Sequence, residues 1–332
     1  MPSLLDPLKI VNLELRNRIV MAPMLVEKAT REGLVTEELI RYYAERANDL
    51  GLQIVEATGV SKTSRWLNLL SIDSDQNIPG LKRLTDRVHR AGTPVALQLV
   101  HLGGVADSVA SDCQPVAPSG IMIPKRGKET PREMTIDEID RTVDDFTQAA
   151  RRAFESGFDA VELHMAHYVL FSQFLSPLTN RRGDDYGGSL ENRVRLHVRV
   201  IESIKKELGP SYAVLCRLGV EDMIPGGLTL GEGVKAAKII ERAGADVIDV
   251  SGGLVGHLHP VDKGPGFFVP QASAVKSVVG VPVVGVGGIK TPGEGDELIR
   301  SGKVDLVAVG RAILNNPNWA SEAIRFARQD VA

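Results

Sequence analysis

Short β-branched or apolar runs, a few of them holding a single polar residue or two, recur along this chain, and each is followed by a longer stretch with a helical pattern of apolar positions. The runs cover residues 19–23, 52–57, 95–100, 160–163, 213–218, 247–250, 283–286 and 306–309. Runs without polar alternation suit parallel strands buried on both faces. The stretches between them read as helices with local start signals. Thr135 with Glu138, and Thr229 with Glu232, have the spacing of capping boxes. Ile139, Val143, Phe146 and Ala150 then form one helical stripe. Thr291-Pro292-Gly293-Glu294 places proline at a first helical position. Gly157, Gly244 and Gly302 follow periodic helices and precede strands, as C-terminal stops do. Eight strands with helices between them predict an α/β fold, a closed (β/α)8 TIM barrel in a single domain over residues 1–332. Residues 106–132, rich in Pro, Ser, Gly and Lys, read as an irregular excursion after the third strand near the active face.

Composition narrows the function classes. A chain of 332 residues with 43% hydrophobic and 24% charged residues is an ordinary globular protein. Its formal net charge of −3 lacks the basic bias of nucleic-acid binders. No apolar run reaches the roughly 20 residues that span a bilayer, and MPSLLDPLKI has no secretory pattern. Cys113 and Cys216 form neither a metal-spaced cluster nor a disulfide framework, so a reducing cytoplasm is expected and no metal site.

In a barrel, functional groups gather at the C-terminal strand ends. That rule selects Pro23 and Met24, Ala57 and Thr58, Gln98 and His101, and His164 and His167 after the first four runs. From the last four it selects Arg217, Ser251-Gly252-Gly253, Gly287-Gly288 and Gly310-Arg311. VGVGGIKTP and VAVGRAILNNP together suit a phosphate, with glycines for close backbone approach and one arginine for charge. Either loop alone reads equally well as a tight turn. His164 and His167 are spaced to converge on one ligand oxygen. For either alone, a core histidine is the plainer reading, and a metal site lacks a third ligand nearby. Arg217, inside an apolar strand, requires an anionic or electron-rich partner, because a buried unpaired charge is costly.

These residues carry a resemblance. From about Leu5 to Pro317 the sequence resembles the old yellow enzyme family of FMN-dependent NADH:flavin oxidoreductases and ene-reductases, in its single-barrel form without an iron–sulfur domain. The most specific stretch is VELHMAHYVLFSQFLSPLTNRRGDDYGGSLENR, and NRIVMAPM, EATGV, ALQLVH, DVSGG and GRAILNNP follow in the expected order. The resemblance implies FMN as cofactor and NADH or NADPH as electron donor. Pro23, Met24, Leu25 and Ala57 would line the flavin, Gln98 would hold its pyrimidine edge and Arg217 would sit near N1 and O2. Gly253, Gly287, Gly288, Gly310 and Arg311 would complete the cofactor set, the last four around the phosphate. His164 and His167 would hydrogen-bond a carbonyl or nitro oxygen of a small unsaturated substrate. The charged residues of the long central stretch would pair internally.

The sequence also departs from the family. Val169 stands where the family usually has a proton-donating tyrosine, which leaves Tyr168, one residue earlier, as the candidate. Leu25 replaces a cysteine or threonine that tunes the flavin, and Val26 and Glu27 replace an aromatic residue. No cysteine cluster for an iron–sulfur centre is present, and Arg325 and Arg328 read as solvent-facing helix charges rather than donors to a neighbouring site. Three functions follow: reduction of an activated C=C bond in an α,β-unsaturated carbonyl, acid or thioester; desaturation or double-bond isomerisation, with His257 and His259 as an acid–base pair rather than loop filler; or a flavin electron-transfer subunit. A homo-oligomer is compatible with all three.

Overall fold

Eight parallel strands close on themselves. The computed structural model describes residues 2–11, 13–63, 65–123, 126–261 and 264–329. In chain order the barrel strands are β1 (Ile19–Met21), β2 (Leu52–Gly59), β3 (Val95–Val100), β4 (Ala160–Met165), β5 (Ala213–Gly219), β6 (Val247–Ser251), β7 (Val283–Val286) and β8 (Leu306–Val309). Each pairs in parallel with its chain neighbours, and β8 pairs with β1 to close the ring. The main helices are α1 (Glu37–Arg46), α2 (Ile78–His89), α3 (Ile136–Glu155), α4 (Arg195–Leu208), α5 (Leu230–Arg242), α6 (Val269–Lys276), α7 (Pro292–Arg300) and α8 (Trp319–Gln329). None is long and apolar enough to cross a membrane.

Local signals account for these boundaries. Thr135, Thr229 and Thr291 each cap a helix by accepting a backbone N–H, and Glu138, Glu232 and Glu294 complete the three capping boxes. Gly157, Gly244 and Gly302 have φ of 84°, 114° and 70°, a backbone state that disfavours a Cβ. The excursion over residues 106–132 contains a short helix, Ser108–Ser111, and Val116–Ala117 pairs with Arg132–Glu133. Its residues 124 and 125 lie outside the described residues.

Two apolar layers hold the barrel. Outside the strands, residues such as Val161, Leu163, Phe146 and Ile201 pack strand against helix. Inside, a smaller cluster of Val20, Ala96, Ala160, Ala213 and Val247 fills the lower barrel. Ile10, Leu13 and Leu15, from an antiparallel pair of Leu8–Ile10 and Leu13–Leu15, join that inner cluster. The apolar filling is thus concentrated at the N-terminal end, and the polar chemistry lies above it.

Candidate active site

Side-chain alternation along the strands delivers the site. On β4, Ala160 belongs to the inner cluster while Val161, Leu163 and Met165 face the helices. Glu162 and His164 therefore rise inward above Ala160. The same parity brings Gln98 above Ala96, Arg217 above Ala213 and Leu215, and Asp249 and Ser251 above Val247. A cavity of about 1040 Å³ opens over this layer at the C-terminal strand ends.

The cavity gathers most of the residues expected from sequence. Pro23, Met24, Leu25, Ala57, Gln98, His164, His167, Tyr168, Arg217, Gly287, Gly288, Gly310 and Arg311 all line it, as do Val169, His257 and His259. Gly253 does not. Its N–H donates to the Glu221 carbonyl at 2.9 Å, and an added Cβ would lie 2.3 Å from Asp222 Oδ1, so its glycine is needed for packing beside the barrel mouth. His101 also turns away from the expected role: its Nδ1 accepts the Gly103 N–H at 3.1 Å and stabilises the turn after β3. Trp66, Phe267, Lys290 and Trp319 line the cavity without having been singled out in the sequence. Two of them are pinned by indole N–H groups, Trp66 to the Val105 carbonyl and Trp319 to the Lys290 carbonyl.

One irregularity shapes the wall at β2. The ladder between β2 and β3 shifts between Val55 and Thr58, a bulge that re-aims Glu56 and Ala57. Glu56 is buried, and its Oε2 accepts the Val26 N–H at 3.0 Å and faces the Tyr43 hydroxyl at 3.4 Å. This anchors the segment after Met24 and Leu25. Burial raises the Glu56 carboxyl to about 7, against the opposing hydrogen bonds.

The two histidines are neutral. Their ring centroids lie 5.0 Å apart at 82°. Burial, helped by the Arg217 charge, lowers His164 to about 3, and the same causes hold His167 well below its ordinary value. His164 Nδ1 is buried with no hydrogen-bond partner. His167 Nε2 lies 2.7 Å from Ser251 Oγ, so Nε2 is the ring nitrogen this contact engages. The His257 ring sits 6.0 Å from His167 and is shifted down by burial and by Arg126, Arg311 and Arg217. Arg126 stacks 4.5 Å over the Tyr168 ring.

Arg217 has the anionic neighbour its burial demands, since its Nε stands 3.5 Å from Asp249 Oδ2, yet that Nε makes no hydrogen bond. Gln98 is oriented from below, donating through Nε2 to Glu162 Oε2 at 2.6 Å. On the opposite rim Gly287 has φ 117°, and a Cβ there would lie 2.5 Å from the Phe267 ring. A Cβ on Gly310 would lie 2.7 Å from Met24 Sδ. These positions form a close-fitting backbone rim beside Arg311. Of the internal pairing expected in the central stretch, Arg182 on Asp184 is present, whereas Arg193 pairs outside the stretch with Glu232.

An amide and a spare guanidinium donor on the floor, a glycine rim with arginine, and neutral imidazoles on the wall fit FMN. Such a barrel defines an FMN-binding oxidoreductase. Residues 3–328 match the NADH:flavin oxidoreductase / NADH oxidase family, and the chain belongs to it; this old yellow enzyme-like family works with FMN and NADH or NADPH. The chain is 38% identical over 330 residues to the NADH oxidase of Thermoanaerobacter brockii, covering 97% of this chain but only half of that protein. It is 38% identical over 326 residues to the NADPH dehydrogenase of Geobacillus thermodenitrificans, covering 97% and 94% of the two chains. Among solved structures it resembles the old yellow enzyme homologue from Zymomonas mobilis, with a TM-score of 0.87, 31% identity and coverage of 99% and 93%. It also resembles morphinone reductase in complex with tetrahydroNAD, with a TM-score of 0.86, 30% identity and coverage of 98% and 92%.

Proposed function

We propose that this chain takes two electrons from NADH or NADPH and delivers them, through FMN, to the C=C bond of an α,β-unsaturated carbonyl, acid or thioester. The observation that carries the reading is the neutral His164–His167 pair at the cavity wall. Bound FMN supplies the two-electron relay between nicotinamide and substrate. Gln98 and Arg217 seat its ring, Pro23, Met24, Leu25 and Ala57 wall it, and Gly287, Gly288, Gly310 and Arg311 take its phosphate. His164 and His167 hold the substrate oxygen, where negative charge grows as the double bond accepts electrons. Donors placed there bind the transition state more tightly than the ground state and lower the barrier. Tyr168 gives the proton to the α-carbon.

The test is anaerobic. The protein as purified is yellow, NADH or NADPH bleaches it, and an enone, enoate or enoyl-CoA restores the colour. His164→Ala slows that recovery by about 100-fold or more while FMN content stays unchanged. Bleaching without recovery on any acceptor of that panel would sink the reading. Desaturation or double-bond isomerisation is the second reading, favoured by the valine at 169 and by His257 beside His167.

A further inference from the structure

Two carboxyl groups lie just below the cavity floor, and seating a cofactor does not by itself call for either. Glu162 on β4 and Asp249 on β6 are both fully buried. The ladders set Gln98 opposite Glu162, and Arg217 opposite Asp249. Each of the two floor residues therefore stands on a carboxyl, at 2.6 Å for Gln98 and 3.5 Å for Arg217. Among the described residues Glu162 Oε1 and both Asp249 carboxyl oxygens are buried without a hydrogen-bond partner, and the charge of Asp249 acts on Glu162.

The other groups around them are few. Besides Arg217, β5 contributes the buried Cys216 thiol, which Glu162 helps to keep protonated. His164 stands two residues further along β4 and is neutral. One guanidinium therefore faces two carboxyls in a dry site, and ionising both leaves an uncompensated charge there. The cluster avoids this by keeping a proton: burial first, and Asp249 second, push the Glu162 carboxyl well above the usual carboxylate range, and burial also raises Asp249.

We propose that Glu162 and Asp249 form a proton-accepting pair that keeps Arg217 available to the reduced cofactor. The inference rests on FMN lying against Gln98 and Arg217. When two electrons and one proton arrive from NAD(P)H, the new negative charge draws on Arg217, and Asp249 loses part of its counter-charge. At a pH where the pair has released its proton, it then takes one from solvent, forming one carboxyl O–H bond, and returns it to solvent when the electrons leave for the substrate; at lower pH it already holds that proton. The overall reaction is unchanged. Glu162 and Asp249 are positioning residues, since neither lines the cavity.

The readout is the midpoint potential of the FMN-loaded protein between pH 7 and 10. One proton per two electrons gives a slope of about 30 mV per pH unit, and a second proton adds about 30 mV more. At the lower end of this range the pair already holds its proton, so the expected slope is the shallow one; toward the upper end the slope steepens to about 60 mV per pH unit. Glu162→Gln keeps the shallow slope throughout. A straight shallow line for the unaltered protein, or the same break in Glu162→Gln, overturns the proposal. If that variant fails to load FMN, Asp249→Asn and the redox difference infrared spectrum of the unaltered protein at pH 9 decide. Reduction then adds a protonated-carboxyl band, and no gain overturns the proposal. A protein that binds FMN and reduces enones with a flat profile rejects the pair alone; one that binds no FMN rejects the site reading as well.

Discussion

Ser251→Ala removes a hydroxyl that does not line the cavity. Ser251 is buried at the end of β6, with its Oγ 2.7 Å from His167 Nε2. That contact fixes which ring nitrogen of His167 is engaged by the hydroxyl. Deleting it leaves a buried imidazole nitrogen unsatisfied, at a cost of about 1–3 kcal/mol. If the loss falls on the transition state, the rate drops about 5- to 160-fold at 1.36 kcal/mol per tenfold. The assay is stopped-flow reoxidation of the NAD(P)H-reduced protein by an enone, with FMN content measured on the same sample. Ser251→Thr keeps the hydroxyl and recovers most of the rate. Unaltered reoxidation in Ser251→Ala, or equal damage in both variants, would refute the positioning argument.

Two further outcomes follow from geometry and charge. Gly287→Ala places a Cβ 2.5 Å from the Phe267 ring at a φ of 117°, so FMN affinity falls by about 5- to 160-fold if about 1–3 kcal/mol of overpacking falls on the bound state. Gly302→Ala, strained at φ 70° but with open space around it, lowers thermal stability and leaves FMN affinity unchanged; fluorescence of released FMN separates the two. Glu56→Gln tests linkage. The folded carboxyl is raised from 4.5 to about 7, so its stabilisation is complete below pH 4.5 and is lost as pH rises through 7. The variant therefore gains about 3 kcal/mol on the unaltered protein between pH 4.5 and 7, read by denaturant unfolding at each pH, and a pH-independent difference would contradict this.

The barrel was legible because its signals are local. Apolar strands, capping boxes and helix-stopping glycines each act within a few residues, and their order gave the architecture. The cavity wall was legible for a related reason, since strand ends follow once strands are placed. What stayed hidden depends on register. Glu162 and Asp249 stand in apolar runs, VELHM and VIDVS, at the parity of His164 and Ser251, but only the ladders show that they meet under Gln98 and Arg217. The bulge that turns Glu56 toward Tyr43 and Val26 leaves no mark in EATG. His101 and Gly253 sit at strand ends but outside the cavity lining, because a strand-end position cannot distinguish a group that faces the cavity from one that holds the adjacent turn.

The source of the proton is where this chain parts from the usual family pattern, and its backbone bears on the question. His167 and Tyr168 have φ of 55° and 59°, and two successive non-glycine residues in the left-handed region cost about 1–2 kcal/mol each. Strain of that kind persists where surrounding contacts over-determine it. Here the His167 N–H donates to the Gly252 carbonyl, and the Tyr168 carbonyl accepts from Gln173 Nε2 at 2.7 Å. Val169 then returns to extended backbone and packs with Leu102 and Val105. The turn brings Tyr168 to the cavity wall one residue early, with Arg126 stacked on its ring. If Tyr168 is the donor, Tyr168→Phe slows enone reduction by about 100-fold or more. The same variant reduces normally with NAD(P)H, because that half needs no phenol. An unaltered rate in Tyr168→Phe, together with a collapse in His257→Ala, would move proton transfer to His257 and favour the isomerase or desaturase reading of the same cavity.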